Sequence, residues 1–328
     1  MTITRASAPY SEARWNQLVD QLTRRDFMIG SASLAALLSA CSVQQGDSDQ
    51  GASATRTVTT ALGTYDIPLE PRRVIAIDSR LDLEPAVSLQ LPLVGYSYSE
   101  AERWVPVEGD LEVLTSPVNL EEVAALQPDL IICTDLGTED PQWPREALMQ
   151  IAPVLPLDFT LPWRESLTQL IGWLGISDTG KARAATAEYE SKLEDIRGRH
   201  RRGLAEHKIA LINYGSGGAN GTAPSGIAAQ VAHDLGIELY RPVEGKDPIS
   251  PERYDLLAPA DGLLVTTAVD GAPDRGTDVL WGEIPAVAAG AVIYSNGNVN
   301  FGSVYTASYC LDLFDDLLTR LNARGVNG

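Results

Sequence analysis

Two hydrophobic rhythms alternate along this chain. Short aliphatic runs recur as "RRVIAID" (72–78), "LPLVGY" (91–96), "DLIIC" (129–133) and "APVLPLDF" (152–159), then as "KIALINY" (208–214), "IELY" (237–240), "GLLVTT" (262–267) and "AVIYSN" (291–296). Between them lie stretches with helical spacing: "LDLEPAVSLQ" (81–90), "LTQLIGWLG" (167–175), "IAAQVAHDLG" (227–236) and a closing "TASYCLDLFDDLLTRL" (306–321). Strands that alternate with helices predict parallel sheets covered on both faces. Ahead of them, "TVTTALGTYDIPL" (57–69) reads as a hairpin that turns at Gly63. The stretch from 179 to 207 differs, because Ala185, Tyr189, Leu193 and Ile196 draw one apolar stripe on an otherwise charged helix. The expected fold is α/β: two similar parallel-sheet lobes, 56–178 and 206–328, joined by one long helix over 179–205.

The lobes share a motif as well as an order. "NLEEVAALQPDL" (119–130) is answered 131 residues later by "SPERYDLLAPAD" (250–261), so that Glu121 matches Glu252 and Pro128 matches Pro259. Asn119 and Ser250 suit an N-cap, Glu122 can complete a capping box, and Pro251 suits the first helical position. An acid in a first turn gains roughly 0.3–1 kcal/mol from the helix dipole, which is a complete local account of both glutamates.

Composition narrows the possible occupations. A chain of 328 residues that is 44% hydrophobic can fill two cores of ordinary size. Residues 1–40 hold four basic and three acidic groups, leaving 21 basic against 41 acidic groups, a charge of −20, on the rest. Such a surface repels polyphosphate, so no nucleic-acid partner is expected. His200 and His207 belong to the linking-helix region, His233 to a second-lobe helix, and the first lobe has no histidine. A site for bare zinc or manganese usually draws several histidines and carboxylates from both lobes, so no metal-ligating residues are assigned. "YGSGGANG" (214–221) lacks the glycine two residues before Ser216 that a nucleophile elbow requires, and has Asn220 where a dinucleotide loop needs glycine. It reads as a loop at the cleft mouth. The chain is therefore not expected to be an enzyme, with an exported hydrolase as the alternative of another class.

The N-terminus carries an address. "TRRDFMIGSASLAALLSACS" (23–42) sets Arg24 and Arg25 before an apolar stretch from Met28 to Ala40. That is shorter than the about 20 residues a membrane-spanning helix needs. It resembles a twin-arginine export signal fused to a bacterial lipoprotein box, "LSAC". The resemblance implies a signal peptide over 1–40, lipidation of Cys41, and anchoring at the outer face of the cytoplasmic membrane. Residues 41–55, rich in Ser, Gln, Gly and Asp, read as a flexible tether with a reach on the order of 20 Å. Cys133 and Cys310 are open to two readings, a disulfide outside the cytoplasm or two buried free thiols.

Taken with "NLEEVAALQPDLIIC" (119–133), "ISPERYDLLAPADGLLV" (249–265) and "DVLWGEIPAVAAGAVIYSNG" (278–297), this organisation resembles the substrate-binding lipoproteins of bacterial ABC importers for ferric siderophores, haem and cobalamin. The resemblance covers nearly all of 56–328. It implies a monomer that captures an iron chelate between its lobes and docks on a permease dimer with its ATPase, Glu121 and Glu252 meeting permease arginines. Exposed ion pairs of roughly 0–1 kcal/mol each favour orientation over affinity, which suits a shuttle.

In parallel sheets ligands sit beyond the carboxyl ends of the strands. The first lobe places Asp78, Ser79 and Arg80 there, then Tyr96, Tyr98, Arg103 and Trp104, then Thr134, Trp163 and Arg164; the second places Tyr214, Ser216, Asn220, Arg241, Thr267 and Asn298 to Phe301. Arg80, Tyr98, Arg103, Trp104, Trp163, Arg164, Tyr214, Arg241 and Phe301 form the candidate ligand set. Aromatics with a few arginines suit a bulky ligand that has conjugated surface and anionic oxygens. Tyr98, Trp104 and Trp163 are each equally read as rim packing, and Arg164 as a partner of Glu165 or Asp158, while Trp173 and Trp281 fall in helical patterns and are assigned to the core. The negative body favours a neutral or cationic hydroxamate chelate over an anionic catecholate, with haem and cobalamin left open.

Overall fold

A computed structural model describes residues 54–78, 80–97, 105–177, 180–215, 218–222, 226–244, 247–267, 279–295 and 299–325. The signal, Cys41 and nearly all of the tether lie outside the described residues, as do Ser79, Tyr98, Arg103, Trp104, Ser216 and Asn298. A hairpin opens the fold: β1 (Thr55–Thr60) and β2 (Gly63–Pro68) pair antiparallel. Gly63, opposite Thr60, takes a φ of +118°, open to a residue without Cβ. The first lobe follows as β3 (Val74–Ala76), α1 (Leu83–Ser88), β4 (Leu93–Ser97), β5 (Glu112–Leu114), α2 (Leu120–Ala125), β6 (Leu130–Asp135), α3 (Arg145–Leu148), β7 (Val154–Asp158) and α4 (Trp163–Leu174). Its five strands run parallel in the order β5-β4-β3-β6-β7. All six residues of β6 are buried, the run that a strand covered on both faces requires.

The lobes are bridged by α5 (Gly180–Arg199), whose Ala185, Tyr189, Leu193 and Ile196 are its buried residues, the predicted stripe. One uninterrupted helix through 205 is not what forms. The helix breaks at His200 (φ −110°, ψ 17°) and resumes as α6 (Arg201–Glu206). The break lets the His200 ring bond Asp315 at 2.6 Å and Asn322 at 2.9 Å. Gly203 then abuts Asn322 so closely that a Cβ there would lie 2.4 Å from its Oδ1.

The second lobe comprises β8 (Ile209–Gly215), β9 (Gly218–Gly221), α7 (Ile227–Leu235), β10 (Leu239–Tyr240), β11 (Pro248–Ile249), a 3₁₀ helix (Pro251–Leu257), β12 (Gly262–Thr267), α8 (Val279–Glu283), α9 (Pro285–Ala288), β13 (Val292–Tyr294) and α10 (Val304–Gly325). β10, β8, β12 and β13 are parallel. β9, however, folds back antiparallel on the last residues of β8, and β11 pairs antiparallel with β9. The glycine-rich stretch expected to be a loop is thus partly a strand, and this sheet is mixed where the first is purely parallel. Gly218, paired with Gly215, takes a φ of +94°, which glycine adopts without strain.

One apolar core runs from the first sheet through α4 and α5 into the second sheet and α10. Cys133 in β6 and Cys310 in α10 are free, buried thiols, one in each lobe. No helix among the described residues is long and apolar enough to cross a membrane.

Candidate ligand-binding cleft

The first sheet changes direction of winding between β3 and β6, the crevice where doubly wound sheets bind ligands. Here a carboxylate fills it. Asp82 accepts the Asp78 amide at 2.7 Å, the Thr134 amide at 3.0 Å and the Thr134 hydroxyl at 3.0 Å. Burial, then the charge of Asp78, pushes its pKa well above the ordinary aspartate value. Thr134 is consequently part of the floor and fully buried, as is Tyr96 in a small cluster with Leu83 and Val105. Arg80 is also buried, at 8% exposure. In the second lobe Thr267 is spent on Ser295, giving its hydroxyl to the carbonyl at 2.7 Å. Tyr214 and Asn220 stay half-buried, the Tyr214 ring edge-on to the core Trp281 at 4.9 Å. Trp281 is core, as its spacing predicts; Trp173 packs against the core and donates to the Thr59 carbonyl at 3.1 Å.

Across the mouth, Phe301 of the second lobe meets Phe159 of the first with ring centroids 5.0 Å apart. Phe159 was missed in the candidate set although it directly follows β7, the position the strand-end rule selects. Behind this pair the predicted Trp163 and Arg164 have another occupation. Trp163 is 2% exposed and packs edge-on against Tyr189 of α5 at 5.1 Å. Arg164 lies 4.6 Å from the centroid of one ring and 4.8 Å from the other, and pairs with Glu190 of α5 and Asp234 of α7. The Trp163 amide donates to Gln230 of α7 at 3.0 Å, and Tyr189 gives its hydroxyl to Asp234 at 2.7 Å. These residues join first lobe, linking helix and second lobe, so both are corrected from ligand contacts to a packed joint. Arg164 pairs with neither Glu165 nor Asp158.

Arg241 also moves out of the set. β10 pairs with Ile209 and Ala210 at the start of β8, not its end. Arg241 therefore emerges exposed on the outer sheet edge, beside Gly221 and Tyr240.

The paired glutamates differ in setting. Asn119 caps α2 by accepting the Glu121 amide at 2.9 Å, and Glu121 is half-buried. Glu122 forms no capping box with the Asn119 backbone amide; its carboxylate takes the Thr115 amide at 3.0 Å and hydroxyl at 3.1 Å, and the Asn119 side-chain NH2 at 3.5 Å. The second motif is a 3₁₀ helix with a kink at Arg253; Ser250 stands at its N-cap, as expected, but its hydroxyl bonds none of the helix amides. Glu252 is fully exposed, and its own amide and the Ser250 hydroxyl hold its pKa below the ordinary glutamate value.

A second crossing lies on the other side of α5. Glu84 in α1 is 1% exposed and reaches the first turn of α10, accepting the amides of Ser303 (2.8 Å), Tyr305 (2.9 Å) and Thr306 (2.9 Å) and the Thr306 hydroxyl (2.5 Å). Burial raises its pKa to about 7, against the pull of those donors and of Arg80. The sequence signal was an acid between Leu83 and Pro85 in an apolar helix start. A groove of about 490 Å³ between α1, α5 and α10 is lined by Val87, Glu188, Lys192, Tyr305 and Asp312, none of which is a strand-end residue.

No protein-family model and no curated protein sequence matches the chain. Solved structures do match in fold. A FhuD fold-family periplasmic binding protein component of a ferrichrome ABC transporter from Bacillus subtilis aligns at TM-score 0.67 with 19% identity, covering 80% of this chain and 99% of that one. A periplasmic solute-binding protein from Mycobacterium smegmatis aligns at 0.66 with 22% identity, over 81% and 98%. Staphylococcus aureus SirA, solved with staphyloferrin B, aligns at 0.60 with 22% identity, over 82% and 99%. The chain has the two-lobed, helix-bridged binding-protein fold.

Proposed function

We propose that the chain is the solute-binding component of an ABC importer, a non-enzymatic protein that captures a ferric siderophore between its lobes and hands it to a permease. The observation that carries this reading is the ring pair between lobes, Phe159 just past the end of β7 against Phe301 of the second lobe, on a fold shared with proteins solved as siderophore binders. A metal that enters as part of its chelate needs no ligand set of His, Cys, Asp or Glu from the protein. The retained ligand candidates are Tyr98, Arg103, Trp104, Tyr214 and Phe301, with Phe159 added and Arg80 kept as a charge close beneath the floor. A hydroxamate chelate is the preferred cargo on long-range charge; haem or cobalamin is the alternative within the same fold.

Delivery requires a meeting with the permease dimer and its ATPase. The protein is a monomer in this account, exported through the twin-arginine signal, cleaved, and held by lipid on Cys41. Glu121 and Glu252 dock on permease arginines. Support for that role is their equivalent place in the two lobes and, for Glu252, a fully exposed carboxylate kept ionised.

The test is a fluorescence titration of the full chain, which has six tryptophans, with ferric hydroxamates, ferric catecholates, haem and cobalamin, alongside iron-free chelators. Saturable quenching by one class names the cargo. Quenching by none of them, or equally by coloured compounds of unrelated shape, overturns the proposal.

A further inference from the structure

The loop that carries Phe301 is fastened twice. On its own lobe, Asn300 accepts the Ile227 amide at 3.3 Å through its carbonyl and donates to Asn213 at 2.8 Å through its side chain. Two residues beyond Phe301 the anchor changes lobes, because the Ser303 amide goes to Glu84. Phe301 thus sits between one tie to the second lobe and one to the first, and it faces Phe159 of the first. The Glu84 tie has chemical logic. The first amides of a helix have no partner within it, and Oε2 of Glu84 takes three such amides of α10 while Oε1 takes the Thr306 hydroxyl. Gly302 leaves the room this requires: a Cβ there would stand 2.2 Å from the Thr306 hydroxyl and 3.0 Å from Glu84 Oε1.

We infer that Glu84 is a positioning residue for the cleft: by capping the second lobe's closing helix from the first lobe, it holds Phe301 in register with Phe159. The inference stands apart from the identity of the cargo, since every contact in it belongs to the chain. It also distinguishes Glu84 from the joint at Trp163 and Arg164, which bridges the lobes through α5 and α7, whereas Glu84 bonds the Ser303 amide directly.

The hydrogen-bond pattern dictates which substitution matters. Glu84→Gln keeps an oxygen for the three amides and turns its NH2 toward the Thr306 hydroxyl, which can accept. Glu84→Ala removes every acceptor. The chain has four phenylalanines, so fluorine-labelled phenylalanine gives few resonances, with Phe314 in the core as an internal control. In Glu84→Ala the Phe159 and Phe301 signals should shift toward solvent values while Phe314 stays. Amide exchange at Ser303, Tyr305 and Thr306 should rise about tenfold or more over that of the α10 interior. Glu84→Gln should leave both readouts near wild type. If Glu84→Ala does not fold, Gly302→Ala unseats the same tie with Glu84 intact and should move the same two resonances. The inference is overturned if Phe159 and Phe301 hold their shifts in the folded variants, or if Phe314 moves as much as they do.

Discussion

Replacing Trp163 with alanine separates packing from ligand contact. The side chain is 2% exposed, stacks edge-on against Tyr189 at 5.1 Å and carries the Arg164 guanidinium at 4.6 Å. Removing a buried aromatic of this size costs about 3–5 kcal/mol. The Arg164 pairs add little to that, because the side chain is 37% exposed and its ion pairs are screened. The indole N–H is buried without an acceptor among the described residues, so Trp163→Phe sheds an unpaired donor as it loses volume and should cost only about 1–1.5 kcal/mol. Urea unfolding of the full chain reads both: the midpoint falls in that order with an unchanged slope. A double substitution with Tyr189→Ala should be less damaging than the sum of the singles, since the two rings share one contact. The reasoning is refuted if Trp163→Ala loses less than about 1 kcal/mol of stability while the folded variant binds its cargo more weakly.

Other consequences can be read with equal directness. The Glu84 pKa of about 7 lies above the ordinary 4.5, so its contribution to stability is full below about pH 4.5 and is lost as pH rises through 7, by at most about 3 kcal/mol. Asp82 shifts in the same direction, so denaturant midpoints of wild type and Glu84→Gln must be compared; their difference should change between pH 4.5 and 7 and be level above. Cys133 and Cys310 are buried and burial pushes both thiols well up, so neither should react with a thiol reagent until the chain is unfolded, when both become available; rapid reaction of either in the native state contradicts the packing. Charge removal at Glu121 and Glu252 together should slow delivery in permease vesicles, by up to about thirtyfold at roughly 1 kcal/mol per pair, while leaving chelate binding intact, and a loss of binding instead would place them in the cleft.

The strands and the long stripe were legible because burial on both faces and a 3.6-residue repeat leave a mark on every residue. Ala185, Tyr189, Leu193 and Ile196 could face nothing but a core. Illegible features depended on partners remote in sequence. Arg164 chooses Asp234, 70 residues away, over the acids beside it, and no local pattern encodes that choice. β9 hides in a glycine-rich stretch because Gly, Ala and Asn carry no strand signal, and its pairing comes from the facing half of β8. The strand-end rule found the region of the cleft but not the division of labour within it. It selects by chain position alone, whereas Thr134, Tyr96 and Thr267 are consumed by the floor and Arg241 leaves by the sheet edge. Glu84 shows the reverse failure: a buried acid in an apolar helix start is visible, but its purpose appears only when α10 is brought across the lobe boundary.

The central claim, that the cleft takes iron already chelated, is tested most directly by equilibrium dialysis of the full chain against radio-iron, supplied as each ferric siderophore and as the bare ion with a weak, exchangeable buffer ligand. The account predicts retention of one chelate per chain, displaced by excess unlabelled ferric chelate, and no retention of the bare ion. Retention of bare iron, or of no chelate at all, would contradict it.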